Sequence, residues 1–589
     1  MNSTPLRVQP RLNAEIPPAL DALPPVLARI YAARGVQHPD ELELGLKQLL
    51  PAQDLLGLPA ALDRLEHALD QQQQILIVGD FDADGATSTA LMMLALRDMA
   101  AQVDFLVPDR FKYGYGLTPE IVELAISNGQ PDLIVTVDNG ISSHAGVARA
   151  HQAAIDVIIT DHHLTSKQPP NACAVVNPNQ PNCPFASKAL AGVGVAFYLL
   201  AALATRRKQA GKPSSRLTDY LDLVALGTVA DVAPLDRNNR ILVAQGLRRI
   251  NLRQCRVGIL ALLAVARREP EQLTAQDLGF VLGPRINAAG RMDNMRIGIQ
   301  CLIADSLAEA EPLAQQLEQL NQQRRRVEAE MKQSALDLLA QRSLFEIQGV
   351  AGQDIDVQQT AVSALPHAIV LYEPSWHQGV IGIVAGRLKE QFHRPSIVFA
   401  PSDASCEVLK GSARSIAGVH IRDAIERVAE QYHGMITHFG GNAMAAGLTL
   451  PAQHLEQFQQ AFNQIVAAHA PDLFEQVLSV DGELGADDFC LDFAQQLAAA
   501  GPWGQAFPAP VFQGEFQVLE HRWLQDKHLK LMLRHPKGGQ WLEALMFNAQ
   551  QQAWPDDIRR VQLAYQLDIN QFRGESRVQL IVQHAEVLV

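Results

Sequence analysis

The chain has 589 residues, of which 48% are hydrophobic and 19% charged, with a net charge of −14. At about 100–200 residues per domain this length predicts about three or four domains, and the composition excludes a largely disordered chain. The acidic balance argues against bulk nucleic-acid binding by a basic surface but leaves room for a local basic groove on an acidic body.

The N-terminus, MNSTPLRVQPRLNAEIPPAL, lacks the apolar core of a secretory signal. Three short apolar runs follow, ILIVG at 75–79, LIVTV at 133–137 and DVIIT at 156–160, separated by helical stretches such as TSTALMMLALRDM. Continuous apolar strands alternating with helices predict a parallel sheet covered on both faces. The densest apolar run, ALAGVGVAFYLLAALA at 189–204, contains Gly192 and Gly194 and has no flanking topology signal. It predicts a buried helix, not a membrane span. From Ser306 to about Ala340, Leu313, Leu317, Leu320, Val327 and Met331 form one apolar stripe. Arg324, Arg325 and Arg326 interrupt this connecting helix, either as a solvated face or as a basic side toward a nucleic-acid channel. A second, glycine-rich α/β region spans about Ala368 to Leu450. After about Pro471 come short β-rich segments, among them HLKLMLRH, WLEALMF and VQLAYQLDIN, which predict an all-β module of about five strands with a small-barrel, OB-like form. The predicted divisions are 1–305, 306–347, 348–470 and 471–589. Cys173, Cys183, Cys255, Cys301, Cys406 and Cys490 are scattered without a CxxC pair. They read as buried thiols in a reducing compartment, the cytoplasm, and not as disulfides or a zinc site.

Each apolar strand ends in an acidic cluster. Asp80, Asp82 and Asp84 lie in DFDADG, Asp138 opens DNG, Asp161, His162 and His163 form DHH, and Asp231 follows another apolar run in ALGTVADVAPL. Sites in open α/β sheets form at the carboxyl ends of strands, so these acids point to one cleft. Acids after strands are also common helix N-caps. A calcium loop is excluded because no bidentate glutamate follows at the required spacing. Several carboxylates with one or two imidazoles suit a pair of hard divalent cations about 3.5–4 Å apart, positioned for phosphate-ester hydrolysis.

The ordered set DFDADG, DNG, DHH and ADV resembles the DHH phosphoesterase family. VPDRFKYGYGL at 107–117, LAGVGVAF at 190–197, GPRINAAGRM at 283–292, WHQGVIGIVAGRL at 376–388, GSARS at 411–415 and GGNAMAAG at 440–447 narrow the resemblance to its RecJ-type exonucleases. The resemblance implies a DHH catalytic domain with an N-terminal extension, a connecting helix, a DHH-associated domain and a terminal OB fold. It implies 5′→3′ hydrolysis of single-stranded DNA to mononucleotides, in repair and recombination, with two Mg2+ or Mn2+ ions. The metal ligands it implies are Asp80, Asp82, Asp84, Asp138, His162 and Asp231, with Asp138 as the bridge and His163 as a supporting catalytic group.

It also implies a substrate set of Arg110, Tyr113, Tyr115, Arg285, Asn287, Arg291, Ser412, Arg414, Gly440, Gly441 and Asn442, with Arg110 and Ser412 at a 5′ phosphate. Arg285, Arg291 and Arg414 sit among small residues, which favours bidentate phosphate contact over a structural ion pair. Tyr113 and Tyr115 suit base stacking or packing in a glycine turn, and Trp376 and His377 suit either a structural role or a substrate contact. The family's GGHxxAAG carries histidine where this chain has Asn442, which weakens one expected contact. A single-strand-binding protein and a RecQ-like helicase are the implied partners of a monomer. Two other classes compete: a DHH phosphodiesterase of short oligonucleotides, and a non-catalytic DNA-binding relative. The complete acid and histidine set disfavours the latter, and the long helix and β-module disfavour the former.

Overall fold

The structure is a computed structural model. It describes residues 6–11, 15–165, 168–348, 365–549, 551, 554–555, 557–572 and 574–588.

Five short strands form the first sheet: β1 (Gln74–Val78), β2 (Gln102–Leu106), β3 (Leu133–Val137), β4 (Asp156–Thr160) and β5 (Ala174–Val176). Their order is β2-β1-β3-β4-β5 and every pairing is parallel. All five residues of β3 are buried, as expected for a strand covered on both faces. Helix α1 (Ala83–Asp98) follows β1 and is buried over most of its length. It packs in one core with α2 (Gly192–Gln209), the predicted buried helix, and α3 (Leu221–Ala230). Further helices lead to α4 (Gly283–Met292) and then to α5 (Leu307–Gln348).

Beyond α5, β6 (Ile369–Tyr372), α6 (Ile381–Phe392), β7 (Ser396–Pro401), β8 (Val408–Arg414), β9 (His438–Gly441) and β10 (Ala445–Pro451) build a second sheet in the order β9-β10-β8-β7-β6. Only β6 and β7 pair in parallel. The last strands, β11 (Phe512–Leu524), β12 (His528–Arg534), β13 (Trp541–Met546), β14 (Arg560–Phe572) and β15 (Glu575–Leu588), close into a five-stranded barrel.

The chain divides into two bodies. One comprises residues 10–321 and 480–589, and the other 322–479 with the first described residues. Helix α5 begins in the first body and ends in the second. Within the second body Arg324 is buried against Glu328 at 2.7 Å, while Arg325 and Arg326 are exposed. The triple-arginine run is therefore not one solvated face.

The barrel starts at Phe512, later than the β-rich composition after Pro471 suggests. Residues 480–511 instead contain a helix, Leu491–Ala499, whose buried Phe493, Ala494 and Leu497 follow helical spacing. This segment ties the barrel to the N-terminal helix Pro25–Ala32 of the same body. Arg34 Nη1 lies 2.8 Å from Asp481 Oδ1, with both side chains fully buried, and the Tyr31 hydroxyl donates to the Ala500 carbonyl at 2.9 Å. No helix among the described residues is long and apolar enough to cross a membrane.

Candidate metal centre and substrate-binding residues

The chain leaves β1 for β2 on one side of the sheet and returns to β3 on the other. A crevice opens at such a switch point, outside the carboxyl ends of the strands. Asp80 and Asp82 follow β1, Asp138 follows β3, and His162 and His163 follow β4. Asp84 sits in the first turn of α1, and Asp231 caps the C-terminus of α3. The sequence places all these residues after apolar elements, and the fold brings them to one point.

Three overlapping groups could each hold a cation: Asp80, Asp82 and Asp138; Asp84, His162 and Asp231; Asp138, His162 and His163. Their ligand atoms lie within 4.8 Å of one another in each group. His162 Nε2 is 3.1 Å from Asp138 Oδ1 and 3.8 Å from both Asp84 Oδ2 and Asp231 Oδ2. Asp138 Oδ1 and His162 Nε2 are buried and make no hydrogen bond. Burial, with the charge of His163 nearby, pushes His162 down to about 4, so its imidazole is neutral near pH 7. Burial and the charge of Asp82 push Asp84 up to about 7. Burial and the neighbouring carboxylates hold Asp138 and Asp231 well above the usual range. A neutral imidazole facing a buried carboxylate oxygen, among buried carboxyl groups that give up their protons less readily than free ones, fits a divalent cation with mixed oxygen and nitrogen ligands.

The surrounding residues fix these groups. Asp84 accepts from the Gly192 and Val193 amides at 2.6 and 2.9 Å, which anchors the start of α2. A Cβ on Gly192 would come within 2.7 Å of the Asp138 side chain, so only glycine permits that approach. Asp161, fully buried, accepts from the amides of Ile141, His162 and His163 and lies 2.7 Å from His163 Nδ1. Burial alone would lower His163, but Asp161 outweighs it and pushes the imidazole up to about 9. Asn139 donates to the carbonyls of Val78 and Val137, linking the ends of β1 and β3. Asn177 and Asn179 donate to the carbonyls of His163 and His162. These asparagines were not singled out by sequence; the NPN run at 177–179 was the available signal.

The expected substrate residues fall into two sets, one in each body. In the first body, Arg110 opens a short helix and its side chain lies outside the described residues. Tyr113 is partly buried against the core beside β1 and β3. Tyr115 as a whole residue is 51% exposed, but its hydroxyl donates to the Asp138 carbonyl at the candidate metal centre. Arg285 differs from the expected accessible fork: it is buried, with Nε 2.6 Å from Glu318 and Nη1 donating to the Val281 carbonyl. The small residues around it admit a close helix neighbour, so the guanidinium is covered. Asn287 Oδ1 accepts from the Ala83 amide at 2.8 Å, holding the first turn of α1. Arg291 is half-buried at the end of α4.

In the second body, Ser412 and Arg414 lie on β8, with Arg414 Nη1 3.2 Å from Ser412 Oγ. Both approach the first turn of α6, where a Cβ on Gly382 would meet Ser412 Oγ at 2.9 Å and Arg414 Nη2 at 3.0 Å. A guanidinium and a hydroxyl at a helix N-terminus suit an anion. Gly440 and Gly441 are exposed in β9. Asn442 forms the turn into β10, its Oδ1 accepting from the Met444 and Ala445 amides at 2.9 Å each. Trp376 is buried and donates to Ser334, and His377 accepts from the Gly379 amide, so both have structural contacts.

The DHH family N-terminal domain matches residues 74–228, the DHHA1 domain 365–468 and the RecJ OB domain 480–584. The single-stranded-DNA-specific exonuclease RecJ of Dickeya dadantii is 49% identical over 99% of this chain and 99% of its own. Two crystal structures of RecJ from Thermus thermophilus are similar in fold. The complex with Mn2+ has a TM-score of 0.78 at 30% identity and covers 99% of this chain and 80% of that one. The complex with Mg2+ has a TM-score of 0.73 at 28% identity, covering 99% and 78%. With all three family domains present in order and near-complete coverage of a curated relative, this chain belongs to the RecJ family of DHH phosphoesterases.

Proposed function

We propose that this chain is a divalent-metal-dependent exonuclease that degrades single-stranded DNA from its 5′ end to mononucleotides, in DNA repair and recombination. The observation that carries the metal dependence is the buried pair Asp138 Oδ1 and His162 Nε2, 3.1 Å apart, neither atom making a hydrogen bond, set among further carboxylates. Asp80, Asp82, Asp84, Asp138, His162 and Asp231 would hold Mg2+ or Mn2+. Bound there, two such ions supply an activated water and neutralise charge on the attacked phosphate. The chain's own part is placement: Asp161 orients His163, Asn287 holds the Ala83 amide, and the α2 N-terminus pins Asp84.

Polarity rests on Arg414 and Ser412, whose grouping at the start of α6 supports capture of a 5′ phosphate. By the family resemblance Arg110 is assigned to the same 5′ phosphate, the exposed Gly440–Asn442 turn is proposed to hold the following phosphates, and the barrel to hold the trailing strand. By family resemblance the enzyme works as a cytoplasmic monomer beside a single-strand-binding protein and a RecQ-like helicase.

The test is a 5′-labelled single strand, a 3′-labelled one and a blunt duplex, each with Mg2+, Mn2+ or chelator. Immediate release of labelled mononucleotide from the 5′ end, gradual shortening of the 3′-labelled strand, and an intact duplex are expected. Release from the 3′ end first, or activity in chelator, would overturn the reading.

A further inference from the structure

Tyr115 has two possible uses, one for its ring and one for its hydroxyl, and the structure favours the hydroxyl. That group donates to the Asp138 carbonyl at 3.2 Å. Its oxygen also lies 3.2 Å from Nδ1 and 3.4 Å from Nε2 of His163. The ring meets His163 edge-on at 5.8 Å and Phe81, within DFDADG, at 6.1 Å. One side chain thus touches the segments after β1, β3 and β4, each of which carries metal-centre residues.

The Asp138 main chain needs holding. Its φ is +61°, a left-handed conformation that a non-glycine residue keeps only where its surroundings impose it. The Tyr115 turn is itself held in place. Gly114 and Gly116 flank it, both with φ of +78°. A Cβ on Gly116 would meet Ser143 Oγ at 2.9 Å, and that hydroxyl accepts from the Leu117 amide at 2.9 Å. Ser143 lies in the same loop that Asp138 opens, so the tyrosine turn and the Asp138 loop are joined at two points.

We infer that Tyr115 is a positioning residue of the metal centre. Its hydroxyl fixes the left-handed Asp138 main chain and sits against the His163 ring, so that the Asp138 carboxylate is presented to the cation. This rests on the metal reading above. Stacking on a base would need only the ring; positioning needs the oxygen. Tyr115→Phe separates the two, since it keeps the ring.

The experiment compares full-length wild type, Tyr115→Phe and Tyr115→Ala by calorimetric Mn2+ titration without DNA, by kcat and KM on single-stranded DNA, and by thermal melting. Tyr115→Phe is expected to weaken Mn2+ binding about fivefold, the effect of one neutral hydrogen bond. Its kcat should fall by a similar factor, with KM and melting near wild type. Wild-type Mn2+ affinity and kcat in Tyr115→Phe, with raised KM only in Tyr115→Ala, would overturn positioning and leave the ring as the functional part. If wild type itself binds no Mn2+, the metal reading and this inference fail together.

Discussion

Asp84 and Asp138 are both buried aspartates, yet their oxygens are differently engaged. Asp84 accepts two amides of α2, whereas Asp138 Oδ1 makes no hydrogen bond. The consequence is a pH-dependent stability. Asp84 is raised to about 7 and His163 to about 9, so both hold protons more tightly folded than unfolded. The stability each contributes is present at low pH and lost as pH rises through its folded value. Asp84 loses its share by about pH 7, and His163 loses its own between about pH 6.5 and 9, so metal-free protein should melt at progressively lower temperature across that second window. Mn2+ should raise the melting temperature more at pH 8 than at pH 6.5, since it replaces the missing protons; an equal increment at both would contradict this. His162, pushed down to about 4, works the other way only at acid pH. At Asn442 the side-chain oxygen already closes a turn, so a histidine there must form the turn with one ring nitrogen and offer the other to phosphate. Asn442→His should raise kcat/KM about tenfold, for about 1.4 kcal/mol of added contact. The gain should be larger at pH 6 than at pH 9; a flat or falling ratio would show that asparagine serves as well.

Helix α4 carries two side chains that act on other elements. Arg285 is paired with Glu318 of α5 inside the first body, and Asn287 holds the first turn of α1. Removing one partner of a buried ion pair strands the other charge, at about 3–5 kcal/mol. Glu318→Ala should lower the denaturation midpoint accordingly, and unchanged stability would exclude a pair of that strength. Asn287→Ala should instead lower kcat about fivefold with little change in KM, because a neutral hydrogen bond of about 1 kcal/mol orients the DFDADG loop. The parallel strands, α2 and the acidic strand ends could be read from sequence because β3 is buried throughout, α2 is apolar from Gly192 to Ala204, and the acids cluster just after apolar elements. The burial of Arg285 could not be read, since small neighbours permit either open solvent or a closely packed helix. The roles of Asn139, Asn177 and Asn179 were also hidden, because they act through main-chain carbonyls that sequence spacing does not bring together.

A net charge of −14 does not prevent DNA binding when cations are concentrated locally. In the barrel, Trp541 is 69% exposed and faces Arg534 across the β12–β13 pair. Stacking on an unpaired base is worth about 1–3 kcal/mol, so Trp541→Ala should weaken binding of long single strands about five- to a hundredfold and leave very short oligonucleotides unaffected. Deleting everything from about 471 onward is a poorer test, since it removes Asp481 along with the barrel and leaves Arg34 buried without its carboxylate. The central claim is that the carboxylates and His162 at the β1–β3 switch point bind the cations that drive hydrolysis. It is tested most directly by titrating Mn2+ into wild type and Asp138→Ala while measuring release of 5′ nucleotides from single-stranded DNA. The account predicts about two ions bound per wild-type chain, and a folded Asp138→Ala protein with weakened Mn2+ binding and hydrolysis reduced by several orders of magnitude. A folded Asp138→Ala protein that binds Mn2+ and releases nucleotides like wild type would contradict it.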